Sequence, residues 1–129
     1  MNGIAGRTVL VVDDDEELRS TLVLVLESEG CNVHQAADGA QALQLMRSRA
    51  GLDVMLVDLM MPGMNGWDLL EVVEHDASLR KLGVDVITAG RRRAAVGGRR
   101  SLAKPFELEQ LLEAVAAACA RAPSDDANT

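Results

Sequence analysis

LVDLMMPGMNGWD, residues 56–68, runs apolar up to Asp58 and then breaks at once into a Met-Met-Pro-Gly-Met-Asn-Gly turn. A strand-like segment that ends on an acid needs a reason, because a carboxylate taken out of water is costly unless it is paired or hydrogen-bonded. The reason has to come from the rest of the chain.

TVLVVDDD, residues 8–15, is a second β-rich apolar run that ends in acids, and it suits a strand buried on both faces. Leu18, Leu22, Val25 and Leu26 then recur at helical spacing, with Gly30 as a stop signal. CNVHQAA, residues 31–37, is a weaker second strand. DGAQALQLMRSRAG, residues 38–51, predicts a helix with Asp38 as N-cap and Gly51 beyond its end. LDVMLVD, residues 52–58, is the third strand, and Asn65 is placed to cap a helix carrying Leu69, Leu70, Val72 and Val73.

GVDVITAG, residues 83–90, repeats the strand pattern with one flaw. Asp85 inside it implies either a shorter strand or a cationic partner. RRRAAVGGRR, residues 91–100, holds one Val, a Gly pair and five arginines, so any helix there is short. SLA, residues 101–103, fits a fifth strand. KPFELEQLLEAVAAACAR, residues 104–121, predicts a final helix with Leu108, Leu111, Leu112, Val115 and Cys119 on one face, and APSDDANT, residues 122–129, reads as a frayed, disordered tail.

Strands alternating with helices at this spacing imply an α/β fold with a parallel sheet covered on both faces. The expectation is one domain over residues 1–121, since no repeat or linker marks a second. Its 129 residues, 48% hydrophobic and 26% charged, fit neither a disordered nor a membrane class. The net charge of -7 argues against general affinity for nucleic acid or acidic membrane, so partners have to be recognised locally. No apolar stretch is long enough to cross a bilayer and no cleavable signal pattern precedes the first acids, which reads as cytoplasmic. Cys31 and Cys119 show no CxxC or Cys/His ligand spacing and read as reduced thiols. His34 and His75 have no motif around them and receive no catalytic role.

In doubly wound sheets the reactive crevice lies outside the carboxyl ends of the strands, where strand order reverses. A flavodoxin-like order, 2-1-3-4-5, puts that point between the first and third strands and brings Asp13 and Asp14 beside Asp58. The apolar run then stops at an acid because the strand end delivers the carboxylate into a shared crevice, and the Pro-Gly turn clears the backbone away. Clustered carboxylates repel one another and need protons or a cation at neutral pH; oxygen ligands at this charge density suit Mg²⁺. Thr88 closes the fourth strand with a hydroxyl, and Lys104 follows the fifth with an ammonium. Such a set fits a phosphoryl group with an aspartate nucleophile. Taken singly, the acids at 13–15 could be an N-cap and first-turn acids, the reading preferred for Asp15 and Glu16; Thr88 could be an ordinary strand residue and Lys104 an exposed charge.

VLVVDDD, LVDLMMPGMNG, VITA and KPF in this order resemble the receiver domain of bacterial two-component response regulators, over Thr8 to about Arg121. The resemblance implies a five-stranded flavodoxin-like fold and a phosphorylatable switch rather than an enzyme. Asp58 would accept a phosphoryl group from a sensor histidine kinase or phosphotransfer protein. Asp13 and Asp14 would hold Mg²⁺ with Asp58 and the backbone carbonyl of Met60; Thr88 would bond a phosphoryl oxygen and Lys104 would pair with the phosphoryl charge. A downstream protein target would read the switch.

The chain departs from the family between Thr88 and Lys104, where it is short enough to expect the fourth helix to be short or irregular. Ser101 stands where an aromatic side chain usually turns inward on phosphorylation, which implies a nonstandard output face. Met60 and Gly90, at positions that tune acyl-phosphate lifetime in the family, pull in opposite directions. Arg91, Arg92, Arg93, Arg99 and Arg100 read as a solvated surface, with an acidic partner as the alternative. Two competing functions follow: a pseudo-receiver that binds a partner without phosphorylation, favoured by Ser101, and an aspartate-nucleophile phosphohydrolase, disfavoured because Met60 occupies the position of its general acid. Trp67, close in sequence to the site, is a candidate fluorescence reporter or a plain, partly buried helix residue.

Overall fold

The two runs TVLVV, residues 8–12, and VMLVD, residues 54–58, form strands that carry side chains to two faces, and helices cover both faces. The computed structural model describes residues 3–48, 51–59, 63, 66–76, 83–89, 100–104 and 106–121. The elements are β1 (Thr8–Val12), α1 (Glu16–Ser28), β2 (Asn32–Ala36), α2 (Gly39–Ser48), β3 (Val54–Asp58), α3 (Gly66–His75), β4 (Gly83–Ala89), β5 (Arg100–Lys104) and α4 (Leu108–Arg121). The strands form one sheet in the order β2-β1-β3-β4-β5, and each pair is parallel. This is the doubly wound, flavodoxin-like α/β arrangement the sequence predicts, with the order reversing at β1 and β3.

Strand periodicity of two residues divides the core cleanly. Leu10, Val12, Met55 and Val57 face one way and pack with Ala42 and Met46 of α2 and Leu69, Leu70 and Val73 of α3. Val9, Val11, Val54 and Leu56 face the other way and pack with Leu22 and Leu26 of α1 and Leu111, Val115 and Ala118 of α4. Asp58 continues the second set by parity. Among the described residues no helix is long and apolar enough to cross a membrane.

The helix starts follow the capping chemistry read from the sequence. Asp15 caps α1 by accepting hydrogen bonds from the N–H groups of Glu17 and Leu18, so the helix-capping reading of Asp15 holds. Asp38 accepts from the Gln41 N–H at 2.8 Å, and the Gln41 side chain reaches back to accept from the Ala37 N–H at 2.9 Å. Gly30 ends the first helix unit at φ +92, a left-handed conformation open to glycine at little cost.

Four features differ from, or sharpen, the sequence expectations. Strand β4 keeps its full length through Asp85, whose register partner on β5 is Arg100; that arginine is therefore a strand residue, and β5 is longer than SLA alone. Leu108 is 51% exposed instead of joining the buried stripe of α4, because Cα–Cβ bonds tilt toward a helix N-terminus and carry a first-turn side chain off its end; Phe106, just before the helix, packs against the core instead. The core also extends back to Ile4, which is fully buried although it precedes the first strand. Cys31 and Cys119 form no disulfide, are buried, and share the α1/α4 face of the core. Burial pushes the Cys31 thiol up, with Cys119 and Glu29 adding to the effect, so it stays protonated and unreactive near neutral pH. Asn65 as a cap, the helix expected between the last two strands, and the tail lie outside the described residues.

At Gly66 the start of α3 presses against the end of β3. A Cβ at this position would stand 2.6 Å from the Asp58 carbonyl oxygen and 2.6 Å from the Leu59 Cα, while the Gly66 N–H donates to the Leu59 carbonyl at 3.2 Å. Backbone must move to admit even a methyl group. Gly66→Ala is expected to destabilise the fold by about 1–3 kcal/mol, the usual range for overpacking, measured by urea denaturation; a neutral result would mean the α3 start shifts freely.

Candidate functional site

The register of β1 and β3 settles where the acids meet. Val12 pairs with Val57, so the residues that follow, Asp13 and Asp58, come abreast at the carboxyl ends of adjacent central strands. Asp13 is fully buried and Asp58 is 4% exposed; Asp14, one residue on, faces solvent. One carboxylate oxygen from each of Asp13, Asp14 and Asp58 lies within 4.8 Å of the others. The sequence brought these residues together on topology alone, and the structure does the same with side chains.

Several hydrogen bonds fix the loop that carries Asp13. Its N–H donates to the Ala36 carbonyl at the end of β2, 3.1 Å away, and its Oδ1 accepts from the Asp15 N–H at 2.9 Å. Its carbonyl accepts from Arg19 Nη1 at 2.7 Å, and Arg19 Nε donates to Gln35 Oε1 on β2 at 2.9 Å. Sequence reading gave Arg19 and Gln35 no role. Their spacing in the chain carries no motif, and only the pairing of β1 with β2 brings them to the same loop.

Like charges at this separation are unstable together. Two carboxylates about 5 Å apart repel by about 3 kcal/mol at an effective dielectric near 20. A cation offsets that cost, and the donor set is suited to one kind: carboxylate oxygens only, two of them buried and the third open to water that can complete a coordination shell. That is the chemistry of a hard divalent ion such as Mg²⁺. The three acids therefore could bind a metal.

The other residues singled out in the sequence are placed by backbone register. Ile87 of β4 is the partner of Asp58, so Thr88 sits one residue further toward the same edge of the sheet. Thr88 pairs with Ala103, and Ala89 with Lys104. Both residues thus lie at the carboxyl ends of their strands, Thr88 on β4 beside β3 and Lys104 on β5 one strand further out. Met60 lies outside the described residues, as does Gly90.

The family model described as the response regulator receiver domain matches residues 9–116, a span that takes in all three acids. The chain belongs to this receiver family. Among its relatives is the DNA-binding response regulator MtrA of Mycobacterium tuberculosis, 35% identical over 117 residues, which cover 84% of this chain and 49% of MtrA. The Escherichia coli transcriptional regulatory protein CpxR is 48% identical over 67 residues, covering 52% of this chain and 28% of CpxR. This receiver chain thus spans about half the length, or less, of these curated relatives. In three dimensions it superposes on a protein from Chloroflexus aurantiacus J-10-fl with a TM-score of 0.82 at 34% identity, covering 90% of this chain and 99% of the other. The chemotaxis response regulator CheY4 of Vibrio cholerae follows at 0.77 and 28% identity, covering 88% and 99%. The receiver is a signalling module rather than a conventional enzyme.

A divalent cation is expected to stabilise this receiver where a monovalent salt at equal ionic strength does not. At about ten times its Kd, a ligand of the folded state adds about 1.4 kcal/mol, a rise of several degrees in Tm by differential scanning fluorimetry. Asp13→Asn should erase most of that rise, and an undiminished response in the variant would move the metal elsewhere.

Proposed function

We propose that this receiver accepts a phosphoryl group on Asp58 from the phosphohistidine of a sensor histidine kinase or phosphotransfer protein, with Mg²⁺ required. The observation that carries the proposal is the convergence of Asp13, Asp14 and Asp58 at the β1 and β3 ends. An Asp58 carboxylate oxygen attacks phosphorus as the phosphorus–nitrogen bond of the donor breaks, and the imidazole leaves. The phosphoryl group then sits as an acyl phosphate on a side chain 4% exposed, held at the mouth of a sheet whose backbone is fixed by Gly66 on one side and the Asp13 loop on the other.

Each remaining residue has a distinct task in this reading. Asp13 and Asp14, with Asp58 and the Met60 carbonyl, would hold the ion, which when bound would supply charge neutralisation for the incoming phosphoryl oxygens. Thr88, a step beyond Asp58 on the neighbouring strand, offers its hydroxyl to a phosphoryl oxygen. Lys104, at the end of β5, offers an ammonium. A protein target then reads the change. Because Ser101 in β5 has no ring to turn inward, the signal leaves by a face other than the one the aromatic switch serves. MtrA and CpxR bear names of DNA-binding and transcriptional regulators, so a link to transcription through a partner or a further domain fits the same role.

Acetyl phosphate with Mg²⁺ should give a mass gain of one phosphoryl group that hydroxylamine removes, absent in Asp58→Asn and absent in EDTA. If the intact protein gains nothing while a partner still binds it, the pseudo-receiver reading takes over; steady turnover of a phosphomonoester would point instead to a hydrolase.

A further inference from the structure

Asp13 has no freedom to choose its position. Three of its atoms are held, and two of the partners are ordinary backbone groups from β2 and the α1 cap. The third is a side chain. Arg19 Nη1 donates to the Asp13 carbonyl at 2.7 Å, the shortest of the three bonds, while Nε of the same guanidinium donates to Gln35 Oε1 at 2.9 Å. One planar fork thereby joins α1, the acid-bearing loop and β2. We infer that Arg19 is a positioning residue for the metal: braced by Gln35, it fixes the Asp13 backbone so that the carboxylate stands ready for the cation before the cation arrives. This inference rests on the metal-dependent reading of the three acids given above.

A competing role for Arg19 makes the opposite prediction. If its charge merely offset the repulsion among the acids, it would compete with a divalent ion, and removing it would tighten metal binding. A positioning role predicts the reverse, because an acid left to wander must be ordered at the cost of binding free energy. Groups that orient metal ligands from behind typically matter by about 10–100-fold in metal affinity.

Mg²⁺ affinity of the full chain, measured by isothermal titration calorimetry, separates these roles. Arg19→Met keeps the packing of the stem and removes the fork; Gln35→Ala keeps the charge and removes the brace. Arg19→Met is expected to weaken Mg²⁺ binding by about 10–100-fold, and Gln35→Ala to weaken it less but in the same direction. Tm in EDTA checks that each variant is folded, and a purely structural role would lower that Tm without moving the affinity of the folded protein. Weakening of less than about fivefold in Arg19→Met, or tighter binding, overturns the inference. Should Arg19→Met not fold, Gln35→Ala decides: unchanged affinity there overturns it. A wild-type chain that binds no Mg²⁺ would sink the metal-dependent function and this inference with it, whereas wild-type binding with unaltered variants sinks the inference alone.

Discussion

Repulsion among three carboxylates is the constraint around which the acidic end of this receiver is arranged. Left to itself the cluster would spread, and the protein spends much of its local hydrogen bonding on keeping it together. The Asp13 loop is tied to β2 through its own N–H and tied to α1 through Arg19 and the Asp15 N–H. The end of β3 is pinned by a helix start so close that only glycine fits. A site prepared this way gains from any arriving positive charge, and a phosphoryl group with its accompanying ion becomes a natural occupant.

The sheet makes the arrangement inexpensive elsewhere. Because β1 and β3 are the central strands and both of their faces are covered, their positions are set by apolar packing far from the acids: Leu22, Leu26, Leu111 and Val115 on one side, Leu69, Leu70 and Val73 on the other. The like charges are gathered only at the last residue of β3 and in the loop that follows β1. Parity completes the job, since Asp58 continues the same alternating set as Val54 and Leu56, and Asp13 continues that of Val9 and Val11.

Much of this was legible in the sequence, for definite reasons. Apolar runs ending at Asp13 and Asp58 mark buried parallel strands, and the rule that crevices form at strand ends then brings the acids together before any coordinates exist. Caps at Asp15 and Asp38 were readable because their chemistry is local. Contacts between segments were not. Arg19 reaches Asp13 and Gln35 only because β1 pairs with β2, Ile4 enters the core ahead of any recognisable strand, and Leu108 leaves it because a helix end projects its first side chain outward. Asp85 shows the same limit: the sequence left the length of its strand open, and only the backbone pairing shows β4 running on through it, with Arg100 of β5 as its register partner.

The buried Ile4 carries a practical corollary. The lead into β1 is anchored by Ile4, by the Gly6 N–H bonded to the Gly30 carbonyl at 2.8 Å, and by the Cys31 thiol donating to the Ile4 carbonyl at 3.4 Å. All of this sits at the opposite end of β1 from Asp13. Cargo tethered ahead of residue 3 therefore departs from the pole of the molecule remote from its chemistry, so an affinity handle or a surface linker placed there would present the acidic mouth outward to whatever approaches.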